Sequence, residues 1–176
     1  MNFRISCLLI LQVLVLCFWV STAQLLDYSP CYYTPSYDND NTGQIVCDSQ
    51  PASEVLDAFR RNKNNTKIDV LFLWNLDDMT TNKLAKIVDI VAASAGQSVW
   101  RIEIENLQKV KKMPQSLQKF TDLQHLNFKR IGGLETLPYG SVASSSDTLF
   151  HIYCDHNPNL KAISPGAFQG KAVDNL

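Results

Sequence analysis

An excess of positive charge is missing from this chain of 176 residues. Sixteen Lys and Arg stand against 17 Asp and Glu, for a formal charge of −1 and a pI near 6.3. A nucleic-acid partner would want a basic face, so that class of function is excluded first. Catalytic signatures are missing too. The sequence holds no Gly-x-Ser-x-Gly turn, no phosphate-cradling glycine loop and no His-Glu-x-x-His pair. Its three histidines, His125, His151 and His156, do not assemble into an acid–base set. No catalytic residue and no cofactor is therefore expected. Beyond the first two dozen residues there is also no apolar run long enough to span a bilayer.

The apolar run that does exist lies at the very start. Arg4 supplies a basic beginning, and Ile5 to Val20 follow, broken only by Ser6 and Gln12. Ser21-Thr22-Ala23 then offers small residues where a signal peptidase reads, so residues 1–23 are expected to be an export signal cut before Gln24. The mature chain is expected to be secreted, extracellular and without a membrane span. Cys7 and Cys17 leave with the signal, and Cys31, Cys47 and Cys154 remain. In an oxidising compartment Cys31 and Cys47, which flank a short polar loop, can pair. Asn64-Asn65-Thr66 is the sole glycosylation sequon, with Asn64 as acceptor in a polar surface run. The acidic stretch Asp38-Asn39-Asp40-Asn41 lacks the glycine and distal glutamate of a calcium loop and is expected to be a solvated loop.

One irregular apolar rhythm recurs along the rest of the chain. Its copies are Ile68, Leu71, Leu73, Leu76, Met79; then Val99, Ile102, Ile104, Leu107, Val110, Met113; then Leu123, Leu126, Phe128, Ile131, Leu134, Leu137; then Leu149, Ile152, Cys154, Asn157, Leu160, Ile163. The starts at 68, 99, 123 and 149 give periods of 31, 24 and 26 residues. The first three members of each copy alternate as a short strand does. Asn157 can turn its amide to backbone groups where that strand ends. Leu76, Leu107 and Ile131 stand at its position in the earlier copies, where apolar packing must close the turn and a less regular ladder is expected. Cys154 falls on an inward strand position and is expected to pack as a small apolar residue. Helices are expected from Pro51 to Asn62 and from about Thr81 to Ala95, with Gly96 as the stop of the second.

This spacing resembles the leucine-rich-repeat family over about residues 31–176. Leu149-x-x-Ile152-x-Cys154-x-x-Asn157-x-x-Leu160 comes closest to its signature, and Ile163-Ser164-Pro165-Gly166-Ala167-Phe168 is an ending typical of extracellular members. The resemblance implies an α/β solenoid with short parallel strands on the concave face, and helices and irregular turns on the convex face. It divides the mature chain into an N-terminal cap, 24–62, with one disulfide and a helix, and about four repeats, 63–176. The cap departs from the usual four-cysteine pattern. No cap follows Phe168, so the chain is expected to be a shortened form of a longer protein.

Residues between the inward positions are expected to face the groove and bind a protein or peptide partner. These are Phe72 and Trp74; Arg101, Glu103 and Glu105; His125, Asn127 and Lys129; and His151, Tyr153 and Asp155, with Val70 completing the first column. Neighbouring His125 and His151 could share a metal completed by Asp155 or His156. Without a close-packed ligand motif they are expected to be two polar residues in register, with no metal. The leader, the Cys-poor cap, the helix ending near a sequon, and Asn157-Pro158-Asn159-Leu160-Lys161-Ala162-Ile163 resemble crustacean proteins named as the non-catalytic subunit of Oplophorus-luciferin monooxygenase. That resemblance implies an accessory chain beside a catalytic subunit. A leucine-rich-repeat receptor ectodomain is the remaining alternative.

Overall fold

The computed structural model describes residues 27–36, 42–64, 68–138, 140–141 and 151–168. The expected signal at 1–23, the acidic run 38–41, Thr66 of the sequon, Leu149 and the residues after Phe168 lie outside the described residues. The described chain is a mixed α/β structure. Its strands in chain order are β1 (Tyr32–Pro35), β2 (Gly43–Asp48), β3 (Val70–Trp74), β4 (Arg101–Glu105), β5 (His125–Lys129), β6 (Thr136–Leu137), β7 (His151–Tyr153) and β8 (Ala162–Ile163). Helix α1 (Ala52–Arg61) follows β2, α2 (Thr81–Ala95) follows β3, and a 3-10 turn, Gln115–Lys119, follows β4. Six strands form one sheet in the order β1-β2-β3-β4-β5-β7, antiparallel only between β1 and β2, while β6 and β8 pair separately.

Register explains the core. Ile45, Leu71, Ile102, Leu126 and Ile152 are paired from strand to strand and all are fully buried. Cys47, Leu73, Ile104 and Phe128 form a second inward row, equally buried. Each leucine, isoleucine and phenylalanine among them contributes about 1.5–3 kcal/mol by leaving water, and no strand could hide its own without its neighbours. Cys154 follows β7 and is half-buried against this core rather than enclosed by it; burial raises its thiol pKa, and its sulfur accepts a hydrogen bond from Asn157 Nδ2 at 3.4 Å. At the opposite end the Cys31–Cys47 disulfide ties the hairpin to the second row. Tyr28, 1% exposed, covers that end by stacking on Tyr33 at 5.7 Å and meeting Phe59 edge-on at 5.5 Å.

Both helices lie where apolar spacing puts them. α1 buries Ala52, Val55, Leu56, Ala58 and Phe59, and α2 buries Leu84, Ile87, Val88, Val91 and Ala95. Thr80 caps α2, its Oγ1 accepting from Lys83 N at 3.3 Å. Pro51 gives α1 no side-chain cap. Asp78, from the turn after β3, takes that part instead by accepting from Ala52 N at 2.7 Å. Gly96 ends α2 with an ordinary φ of −59°. Glycine is needed there for closeness, since a Cβ would lie 2.5 Å from the Ala92 carbonyl oxygen and 3.1 Å from that of Lys119.

The turns after the strands are more regular than the sequence promises. Ser49, Asn75, Asn106, Arg130 and His156 all occupy the left-handed region, with φ between 53° and 55°; the first four directly follow β2, β3, β4 and β5, and His156 lies three residues beyond β7. The N–H groups of the first four carry the ladder onward: Ser49 N to Trp74 O at 3.2 Å, Asn75 N to Glu105 O at 3.1 Å, Asn106 N to Lys129 O at 2.9 Å and Arg130 N to Asp155 O at 3.1 Å. Asn tolerates this conformation better than most side chains. Asn75 Nδ2 donates to Asp48 Oδ1 at 2.7 Å, Asn106 Nδ2 to Asn75 Oδ1 at 2.8 Å, and Gln108 Nε2 to Asn106 Oδ1 at 2.8 Å. The early copies are therefore not the less regular ones. Leu76, Leu107 and Ile131 do close their turns by full burial, and the preceding residue supplies the polar bonds. In the fourth copy Asn157 serves backbone directly, donating to Phe128 O at 3.0 Å and accepting from Ile131 N at 2.8 Å.

Two predictions follow from these turns. Asn106→Ala should lower unfolding free energy by about 1–3 kcal/mol in urea titrations, because it strains a left-handed residue and breaks both amide contacts. Asn106→Gly should recover part of that loss through the backbone alone. The second concerns acid. Lys83, whose Nζ lies 2.6 Å from Asp78, and the Ala52 N–H hold the Asp78 carboxyl below its ordinary value of 3.8. Stability from this group is present above pH 3.8 and is lost as pH falls through the lower folded value. Urea midpoints of Asp78→Asn should consequently fall less steeply below pH 3.8 than those of the parent chain.

Candidate functional site

The sheet face opposite the inward rows is a three-column surface. Its first column runs Gln44, Val70, Arg101, His125, His151; its middle column runs Val46, Phe72, Glu103, Asn127, Tyr153; its third runs Asp48, Trp74, Glu105, Lys129. Asp155 lies beyond the end of β7, close enough to Lys129 for an ion pair at 3.6 Å. All eleven groove residues named from the sequence thus lie on or beside one surface, but not all are presented alike. Phe72 is 8% exposed, covered by Trp74 (ring centroids 4.7 Å apart) and by the Arg101 guanidinium, 5.6 Å above the ring. It supports its neighbours instead of offering itself to a partner. Tyr153, by contrast, is 49% exposed. Tyr32 was not among the expected groove residues. It pairs with Val46 in β1, so it extends the middle column by one strand, and it is 71% exposed. Two tyrosines in succession, Tyr32 and Tyr33, gave the sequence no alternation to show which of them faces outward.

Charges on this face are already matched. Arg101 binds Glu103 through Nε at 2.9 Å and through a second guanidinium nitrogen. Arg130 pairs with Glu105. Asp155 meets both Lys129 and, at 2.6 Å, His156 Nδ1. The His156 hydrogen bond, more than any other contact, holds the Asp155 carboxyl below its ordinary range. Asp48 accepts from Asn75 and from Ser49. Opposite charges set so close largely cancel at a distance, so the face offers little net field to steer a charged partner.

The histidines form a small aromatic stack. His125 and His151 are 4.7 Å apart between ring centroids and tilted by 16°, and Trp100 meets His125 edge-on at 5.6 Å. Burial, then His151 and Arg101, lower the His125 pKa, with Glu103 opposing them. Asp155 and His156 bond to each other and do not close round this pair. Among the described residues no group of three or more His, Cys, Asp or Glu could hold a metal ion. Three buried polar atoms on the face have no hydrogen-bond partner: Trp74 Nε1, Asn127 Oδ1 and His151 Nδ1. Asn64, the expected glycan acceptor, is exposed in the turn after α1. A separate cleft of about 790 Å³ between α2 and the 3-10 turn is lined by Thr81, Asp89, Lys112, Gln115 and Lys119 among others, and by none of the groove residues.

No known family, characterised protein or solved structure matches the chain.

The contrast between Phe72 and Tyr153 can be measured. Phe72→Ala should cost about 3 kcal/mol or more in unfolding free energy, as expected for an enclosed aromatic. Tyr153→Ala should stay within about 0.5 kcal/mol of the parent, as a surface change does. Equal losses at the two positions would contradict the covered state of Phe72.

Proposed function

We propose that this chain is a secreted recognition module, a leucine-rich-repeat solenoid that binds a protein partner through its sheet groove and is not an enzyme. The disulfide Cys31–Cys47 fits an oxidising, extracellular compartment, and among the described residues no helix is long and apolar enough to cross a membrane. Export through a cleaved leader at 1–23 belongs to this proposal. The repeat reading rests on the shared apolar rhythm and on the left-handed turn that recurs after each groove strand.

One observation carries the binding role. Every charged side chain in the three columns already has an intramolecular partner, while Tyr32 and Tyr153 stay exposed at the two ends of the middle column. A surface of satisfied charges with exposed aromatic ends favours a partner that brings aromatic or aliphatic side chains and hydrogen-bonding groups. Association should then depend on fit more than on charge steering.

The test is site-specific photo-crosslinking of the full chain, with a benzophenone side chain at Tyr153 or, as a control, at Asp89 on α2, in extracellular fluid of the source tissue. A discrete adduct from the Tyr153 position, abolished by Trp74→Ala, is expected. It should persist in about 1 M salt, where the screening length is about 3 Å. Adducts from the Asp89 position alone, or loss of the adduct at high salt, would contradict the proposal.

A further inference from the structure

We propose that the stacked imidazoles of His125 and His151 make the C-terminal end of the groove an acid-sensitive latch, closed between β5 and β7 at neutral pH and opened when the rings take up protons. The two residues are paired in register across the parallel strands, with ring centroids 4.7 Å apart and planes within 16° of parallel. Uncharged rings stack favourably at that distance, whereas two imidazolium rings repel each other there. The strand pairing decides which side gives way. β5 is held on its other edge by β4 along its whole length, from Arg101 opposite His125 to Glu105 opposite Lys129, and Trp100 meets His125 edge-on at 5.6 Å. β7 ends the sheet and has only three paired residues, His151, Ile152 and Tyr153. Repulsion therefore acts on β7.

The charged groups around the pair offer it no free counterion among the described residues. On β4, Arg101 lies next in the column and already holds Glu103 through Nε at 2.9 Å. On β5, Lys129 pairs with Asp155, which also meets His156 Nδ1 at 2.6 Å beyond β7. A proton on His156 only strengthens that last bond. Burial, then His151 and Arg101, hold the His125 pKa below its ordinary value of 6.5 against the opposing pull of Glu103. A base held low in the folded chain binds its proton more readily once released. The stability of the closed latch is thus full above pH 6.5 and is lost as pH falls through the lower folded value. His151 Nδ1 is buried without a hydrogen-bond partner. A proton on that atom would be a buried donor with no acceptor, a state relieved when the ring swings out to water. Past the strand, Asn157 still joins Phe128 O and Ile131 N through bonds that do not titrate, so the opening is confined to β7. On the reading of the groove as a binding face, this opening carries Tyr153 out of line, and a partner held at neutral pH is released by acid.

Amide hydrogen exchange followed by NMR on the full-length chain reads the latch without any partner. The His151 amide, bonded to Gln124 O at 2.6 Å, reports the β5–β7 side, and the His125 amide, bonded to Trp100 O at 2.9 Å, reports the β4–β5 side. Between about pH 7.5 and about pH 5.5, where histidine titrates, the protection factor of the His151 amide should fall about tenfold or more while that of His125 holds. His125→Gln and His151→Gln should each remove the fall, with spectra at neutral pH showing the fold retained. His151→Gln should also bring the titration of the His125 ring back toward its ordinary value, and His156→Gln should leave the fall in place. Unchanged protection of His151 in the parent chain, a fall that survives both groove substitutions, or one that disappears with His156→Gln overturns the latch. Acid release is read by the Tyr153 crosslink, which should be lost at about pH 5.5 and restored by His151→Gln. A crosslink that persists there in the parent chain overturns the release. One already missing at neutral pH contradicts the groove reading alone, and the exchange result still decides the latch.

Discussion

No strand of this protein can hide its own apolar side chains. Leu73 is covered by Cys47 on one side and Ile104 on the other, and Ile104 in turn by Phe128, so burial is a property of the row and not of any strand in it. Register is the constraint that makes this work. A slip of one residue would send Ile102 and Ile104 to the groove and bring Arg101, Glu103 and Glu105 into the core. The recurring left-handed turn helps fix that register, because the N–H groups of Ser49, Asn75 and Asn106 bond to the carbonyl at the end of the next strand, and that of Arg130 to Asp155 just beyond β7. The amide chain from Asp48 through Asn75 and Asn106 to Gln108 adds side-chain bonds in the same direction.

The groove inherits its character from that register. Arg101 pairs with Glu103 along one strand, Arg130 reaches back to Glu105, and Lys129 meets Asp155, leaving Tyr32 and Tyr153 as the exposed aromatic residues of the middle column. The same alignment stacks two imidazoles at nearly the strand spacing and seats Arg101 over Phe72. In the proposed binding role, such a face would select by shape and by hydrogen bonding, with little long-range attraction.

Much of the secondary structure was legible in the sequence for a simple physical reason: apolar spacing reports which side chains share a face. Leu84, Ile87, Val88 and Val91 mark α2, and the alternating members of each repeat mark β3, β4, β5 and β7. The Cys31–Cys47 pairing followed from redox setting and closeness in the chain. What stayed hidden depends on contacts between distant residues. Asp78 caps a helix 26 positions upstream, which no local pattern shows. The polar bonds of the early turns were sought at Leu76 and Leu107 and lie one residue earlier. Phe72 alternates as a groove residue should, yet Trp74 and Arg101 fold over it, and Trp100 reaches His125 from outside the columns altogether.

The most direct test of the in-register stack is methyl and aromatic NOE spectroscopy on selectively labelled full-length chain. Contacts from Leu73 to Ile104 and from Ile104 to Phe128, together with Leu71 to Ile102 and Ile102 to Leu126, are the predicted result. Their absence in a folded sample, or contacts of Ile104 with groove residues such as Asn127, would contradict the account.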